Sequence, residues 1–320
     1  MNLETEITML AASELNARYD AECKALFQNR EILAPLLQSV VPEYRGMPID
    51  EIVACIPPSS ITEDAVDDTS AAISRLPEEE NSITEKLIRY DVRFRALNPQ
   101  RSDRSIQFFL HFDVEVQNSY HPKNPAYPII KRAIYYAARE ISSQLGVLTE
   151  TTDYNKLEKA YSIWICNEDI PVKLQNTVTA YHFTKEDLIG ITDEPAVDFD
   201  LMSVILIRRG KETGTQEIFD YLQGIFDGNL ETLNRYIDIS DNEEIKERVS
   251  NVSGMGASIA RRNYDQGISQ GVSQGISQGL KALVATLSAF LTNPTDILAA
   301  VRKNDIYKDV TIDDIREYLD

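Results

Sequence analysis

Ser105–Asn118 reads SIQFFLHFDVEVQN, a β-rich and partly alternating run. In an extended strand, positions two apart share a face. Asp113, Glu115 and Gln117 therefore project one way while Phe112, Val114 and Val116 project the other. An apolar face backs a polar one. Upstream, Lys86–Ala96 reads KLIRYDVRFRA, with Asp91 flanked by Tyr90, Val92 and Phe94, and the turn-like NPQRSD separates the two runs. This spacing predicts two adjacent antiparallel strands. Asp91 then meets Glu115 across the hairpin or through a neighbouring strand. Two carboxylates converging in this way make a hard-oxygen site suited to Mg²⁺ or Mn²⁺.

Downstream of HPKNP, apolar residues at 129, 130, 133, 134, 137, 138 and 141 give Pro128–Leu145 the broad apolar face of a long helix. Further strands are expected at Lys156–Cys166, Val178–Phe183 and Leu201–Ile207. Before the hairpin, Ser13–Val41 reads as helix, adjusted or interrupted at Pro35, and Pro48–Cys55 as a short second one. Residues 57–84 are rich in proline and acid and read as a solvated connector. The order helix, strand, strand, helix, strand predicts an α/β or α+β sheet domain.

After Arg209 the pattern is helical: Gln216–Phe226, Glu244–Arg248 and beyond, and two short helices between Asp296 and Leu319, with Asp296 and Asp313 in their first turns. Domains are thus expected at 1–209 and 210–320. Within the second, GISQGVSQGISQG places glycines at 267, 271, 275 and 279, with Ile268, Val272 and Ile276 also four apart. Glycine costs about 1 kcal/mol per helical position relative to alanine. The repeat therefore reads either as a homo-oligomer contact or as a spacer.

The net charge of −19 over 320 residues argues against a nucleic-acid partner. Its distribution argues the other way. Lys86–Leu145 holds ten basic and five acidic residues, a local +5 that leaves −24 elsewhere, and a basic island in an acidic chain can still face DNA. The acidic amino terminus lacks the pattern of a secretory signal, and no stretch reaches membrane-spanning length, so the expected location is cytoplasmic, with no membrane partner. Cys23, Cys55 and Cys166 fit neither a disulfide framework nor a zinc knuckle and are expected to be buried thiols. His111, His121 and His182 lack ligand spacing, and Tyr161, Trp164 and Tyr181 are expected in the core.

The acid on one strand followed by Glu115-Val116-Gln117 on the next resembles the PD-(D/E)XK nuclease superfamily. More narrowly, YDAECKALFQNREILAPLL, EKLIRYDVRFRAL, FDVEVQN, YPIIKRAIYYAARE and AYSIWICNEDIP, between residues 19 and 171, resemble the bacterial PD-(D/E)XK nuclease family transposases, the recombination-promoting nuclease (Rpn) group. The resemblance implies a restriction-endonuclease-like α/β core, a mixed sheet flanked by helices, followed by a smaller all-α region. It implies a Mg²⁺-dependent DNA endonuclease (Mn²⁺ or Ca²⁺ being alternatives), with Asp91 and Glu115 holding the metal and Gln117 where the superfamily has lysine. Glutamine can orient water but supplies no positive charge. Lys131, Arg132 and Arg139 on the following helix are candidate contacts to the DNA backbone. Asp20, Glu85 and Asp113 are candidate accessory acids. A competing reading keeps the sheet as a catalytically inactive interaction scaffold, and a third has RNA or nucleotides as substrate.

Overall fold

The computed structural model describes residues 3–58, 91–103, 105–122, 125–145, 151–211 and 216–319. Glu85 and nearly all of the connector expected at 57–84 lie outside these residues. Five strands, β1 (Val92–Leu97), β2 (Phe109–Ser119), β3 (Ala160–Glu168), β4 (Thr177–His182) and β5 (Met202–Arg208), form one sheet in the order β1-β2-β3-β5-β4. The hairpin β1–β2 is antiparallel, β2–β3 and β3–β5 are parallel, and β4 closes the far edge antiparallel to β5. The sheet is mixed and flanked by helices, the α/β architecture of the PD-(D/E)XK type of core.

Register assigns each residue its face. Arg93 pairs with Asp113, Asp113 with Ser162, Glu115 with Trp164, and Trp164 with Leu206, so these share one side. The helix of Ile129–Ser143 covers that side through Ile129, Ala133, Tyr136 and Ala137, which pack on Trp164, Val204 and Leu206. On the opposite side Phe112 is stacked between Phe94 at 4.9 Å and Tyr161 at 5.4 Å, with Tyr44 at 6.3 Å. Each such aromatic pair adds about 0.5–1.5 kcal/mol beyond its buried area. Tyr44 also donates to the Leu97 carbonyl, and Tyr161 donates to Glu43.

In chain order the helices are α1 (Leu3–Phe27), α2 (Arg30–Val40), α3 (Ile49–Cys55), α4 (Ile129–Ser143), α5 (Ala196–Phe199), α6 (Glu217–Phe226), α7 (Leu230–Leu233), α8 (Glu243–Ser288), α9 (Pro294–Val301) and α10 (Ile312–Arg316). The helix expected over 13–41 is in fact two. The break falls at Asn29, whose side chain accepts from the Glu31 amide and starts a new helix, while Pro35 sits buried inside α2. The third strand begins at Ala160 instead of Lys156, because residues 154–156 form a 3₁₀ turn capped by Asp153. Tyr181 is not a core residue: on the edge strand β4 it is 40% exposed, whereas Tyr161 and Trp164 are buried. Cys23 and Cys166 are buried thiols, and Cys55 is only partly enclosed.

The chain forms two compact units, Met1–Ala257 and Ser258–Asp320, with the division within α8. The reason is packing. Phe226 lies 6.2 Å from Phe27 and Tyr221 donates to the Ile32 carbonyl, tying α6 to the amino-terminal helices. In the second unit Leu280, Val284, Ile297, Val301, Tyr307 and Ile315 make a small core. Gly279 lies against the Tyr307 hydroxyl and leaves no room for a Cβ, whereas Gly267, Gly271 and Gly275 face open space. Among the described residues no helix is long and apolar enough to cross a membrane.

Candidate active site

The β1–β2 ladder begins at Val92↔Val114, and Asp91, one residue upstream, comes to lie beside Glu115. Two hydrogen bonds lock the pair. The Asp91 amide donates to Glu115 Oε1 at 2.8 Å, and the Val116 amide donates to Asp91 Oδ2 at 3.1 Å. The two acids expected to share a site are therefore brought together. They differ in setting, since the Glu115 side chain is 1% exposed and that of Asp91 19%. Burial, and then the neighbouring Asp91 charge, hold the Glu115 carboxyl well above the usual carboxylate range.

Two cations flank the pair. Lys24, from the last turn of α1, places Nζ 3.1 Å from Asp91 Oδ1. Burial works against its charge, but the Asp91 carboxylate outweighs this and the ammonium pKa is raised. Arg132 Nη2 stands 3.7 Å from Glu115 Oε2 and donates to the Tyr136 hydroxyl at 2.8 Å. Its guanidinium also lies 5.2 Å from the Trp164 ring, on the sheet side of α4. Lys131 is exposed and Arg139 half-buried on the same helix. Asp20, one turn before Lys24, has a carboxyl raised to about 6 by burial and then by Asp91. Gln117 follows Glu115 along β2, opposite Cys166.

Asp113 is withdrawn from this group. Fully buried, it accepts from Ser162 Oγ at 2.6 Å, and Ser162 in turn accepts from Trp164 Nε1 at 2.7 Å. Burial raises its pKa well above the ordinary value, and its bond from Ser162 ties β2 to β3. A second network lies on the same face. Arg93 grips Glu140 through Nε at 2.7 Å and Nη2 at 3.1 Å, and His111 bridges Glu140 at 3.3 Å and Glu158 at 3.1 Å. One arginine of the basic island is thereby committed to the protein interior.

A divalent cation suits what is present. A carboxylate whose charge is disfavoured by burial, and then by an adjoining carboxylate, is relieved by a cation between them, and oxygen donors are what a hard ion takes. Among the described residues no group of three or more His, Cys, Asp or Glu side chains is arranged to hold a metal, so Asp91 and Glu115 would be the protein's share, with water or phosphate supplying the rest. Sequence reasoning missed Lys24, because nothing in the spacing of 24 and 91 announces their contact. It lies inside YDAECKALFQNREILAPLL, one of the segments that carry the resemblance.

Residues 105–190 match the family model described as PD-(D/E)XK nuclease family transposase. This span includes Glu115, Gln117 and Arg132 and stops short of Asp91 and Lys24. No curated protein and no solved structure matches the chain.

Proposed function

We propose, taking the nuclease-transposase match of residues 105–190 as premise, that the chain is a metal-dependent DNA endonuclease hydrolysing phosphodiester bonds. The observation that carries this reading is the reciprocal bonding of Asp91 and Glu115, which holds two carboxylates against each other at the exit of the hairpin. Nucleases of the PD-(D/E)XK type typically use divalent metals, and Mg²⁺, Mn²⁺ or Ca²⁺ would be held here by Asp91 and Glu115. When bound, such an ion lowers the pKa of water and offsets charge developing on the phosphate.

The protein's own groups supply the remainder. Gln117 orients the attacking water by hydrogen bonding. Lys24, on α1 and 3.1 Å from Asp91, would supply the positive charge that Gln117 cannot. Arg132 steadies Glu115 and holds its carboxylate available. Lys131 and Arg139 contact the DNA backbone. Asp20 helps set the charge around Lys24.

Plasmid DNA incubated with the purified chain and Mg²⁺, Mn²⁺ or Ca²⁺, beside Asp91→Ala and Glu115→Ala, tests the proposal. Metal-dependent nicking that both substitutions abolish is expected. Nicking that survives both would remove the site assignment. A folded wild-type chain that never cuts would favour the catalytically inactive scaffold, the reading to which the −19 charge lends weight.

A further inference from the structure

A cavity of about 670 Å³ opens on the same sheet face as the carboxylates. Its lining includes Leu206, Ile129 and Arg208 together with Tyr120, Tyr127 and Tyr181. Register locates it relative to the site. Gln117 pairs with Cys166, and Cys166 pairs with Arg208, so Arg208 lies two strands from Gln117, roughly 10 Å across the sheet. The volume is in the range of small-molecule sites, about 300–1,000 Å³.

Arg208 is the informative residue. It is 5% exposed, a degree of burial at which a guanidinium is ordinarily matched by a carboxylate. Its partners are hydroxyls and one ring: Nε donates to Tyr120 at 3.1 Å, Nη1 donates to Thr179 at 2.9 Å and Thr177 at 3.4 Å, Tyr181 is a further hydrogen-bond partner, and the guanidinium lies 5.5 Å from the Tyr120 ring centroid. Among the described residues no carboxylate forms an ion pair with it. A buried positive charge without a counter-anion, in the lining of a pocket that also holds phenol rings, fits a ligand that is flat, aromatic and anionic.

We infer that this cavity is a nucleotide subsite, taking one unpaired base against the tyrosine rings with its phosphate drawn to Arg208. The ligand chemistry is a nucleoside phosphate, and its source is a nucleotide of the bound DNA strand next to the scissile position. The choice of source rests on the endonuclease reading; the chemistry of the pocket does not. A base held there would fix the strand relative to Asp91 and Glu115 and select for DNA with an unpaired or readily unpaired nucleotide.

The test uses the full chain in EDTA, with an oligonucleotide duplex carrying one 2-aminopurine in a short unpaired stretch, and free dAMP as a separate probe. Wild type should quench the 2-aminopurine emission. Tyr127→Ala and Arg208→Gln should each lose the quenching and weaken binding about tenfold. Tyr181→Leu, on the exposed edge strand, is included because loss of the buried Arg208 can unfold the protein. Wild-type quenching and affinity in folded Tyr127→Ala and Tyr181→Leu would overturn the inference, while metal-dependent cutting by those variants would leave the nuclease reading intact. Tyrosine-dependent binding of dAMP with no affinity for the oligonucleotide would support the pocket as a nucleotide site and remove DNA as its source.

Discussion

The Asp91 amide donates to the carboxylate of Glu115, so the backbone of one acid fixes the side chain of the other. Glu115 thereby stays in place even though it is buried, adjoins a second acid and is disfavoured as an anion.

Glu115→Gln should therefore abolish cleavage and stabilise the fold. The folded pKa of Glu115 is raised, so the folded protein keeps this proton to higher pH than the unfolded chain, and wild type loses stability as pH rises above the ordinary value of 4.5. The variant has no such loss. Urea denaturation should find the two alike near pH 4 and the variant the more stable at pH 8. A less stable variant at pH 8 would contradict this account.

Binding of Mn²⁺ or Mg²⁺ should raise the unfolding temperature of wild type, since a ligand taken only by the folded state stabilises it, by about 2.7 kcal/mol at a hundred times its dissociation constant. EDTA should reverse the shift. Asp91→Ala should show none, and a shift of wild-type size in that variant would place the ion elsewhere.

Lys24→Gln should separate binding of metal from catalysis. Freeing the Asp91 carboxylate from its 3.1 Å ion pair should leave metal affinity unchanged or tighter, measured by calorimetry. The cleavage rate should fall about a hundredfold, with partial rescue by Lys24→Arg. An unaltered rate would reduce Lys24 to a surface ion pair, worth at most about 1 kcal/mol.

The cluster of Arg93, Glu140 and His111 should give a stability maximum in mild acid. Burial opposes the imidazolium, but Glu140 and Glu158 raise His111, so its contribution is full below 6.5 and is lost as pH climbs through the raised folded value. Glu140 is lowered: burial opposes its charge, yet His111 and Arg93 prevail, and its contribution is present above 4.5 and lost as pH falls through the depressed value. The stability difference between wild type and His111→Gln should be largest between these limits and shrink toward pH 8.5. A difference that grows with pH would show that the imidazole is held neutral.

The hairpin was legible because strand alternation is a local property: Phe112, Val114 and Val116 take one face of the sheet and Asp113 and Glu115 the other, as the residue pattern alone implies. The apolar face of α4 was legible for the same reason. What escaped depends on pairing between distant segments. Lys24 reaches Asp91 only because α1 packs near the start of β1, and Asp113 differs from Glu115 only because Ser162 stands opposite it on β3. Arg132 reads as a surface arginine until the rings of Tyr136 and Trp164 are seen beneath it.

Trp164 is the only tryptophan in the chain, fully enclosed, with its indole N–H bound to Ser162 and its register partner being Glu115. The molecule thus carries a single indole fluorophore, seated beside Glu115 and shielded from solvent. Its emission should be blue-shifted while the sheet is intact and should respond to changes at the Arg132 guanidinium 5.2 Å away without any added dye.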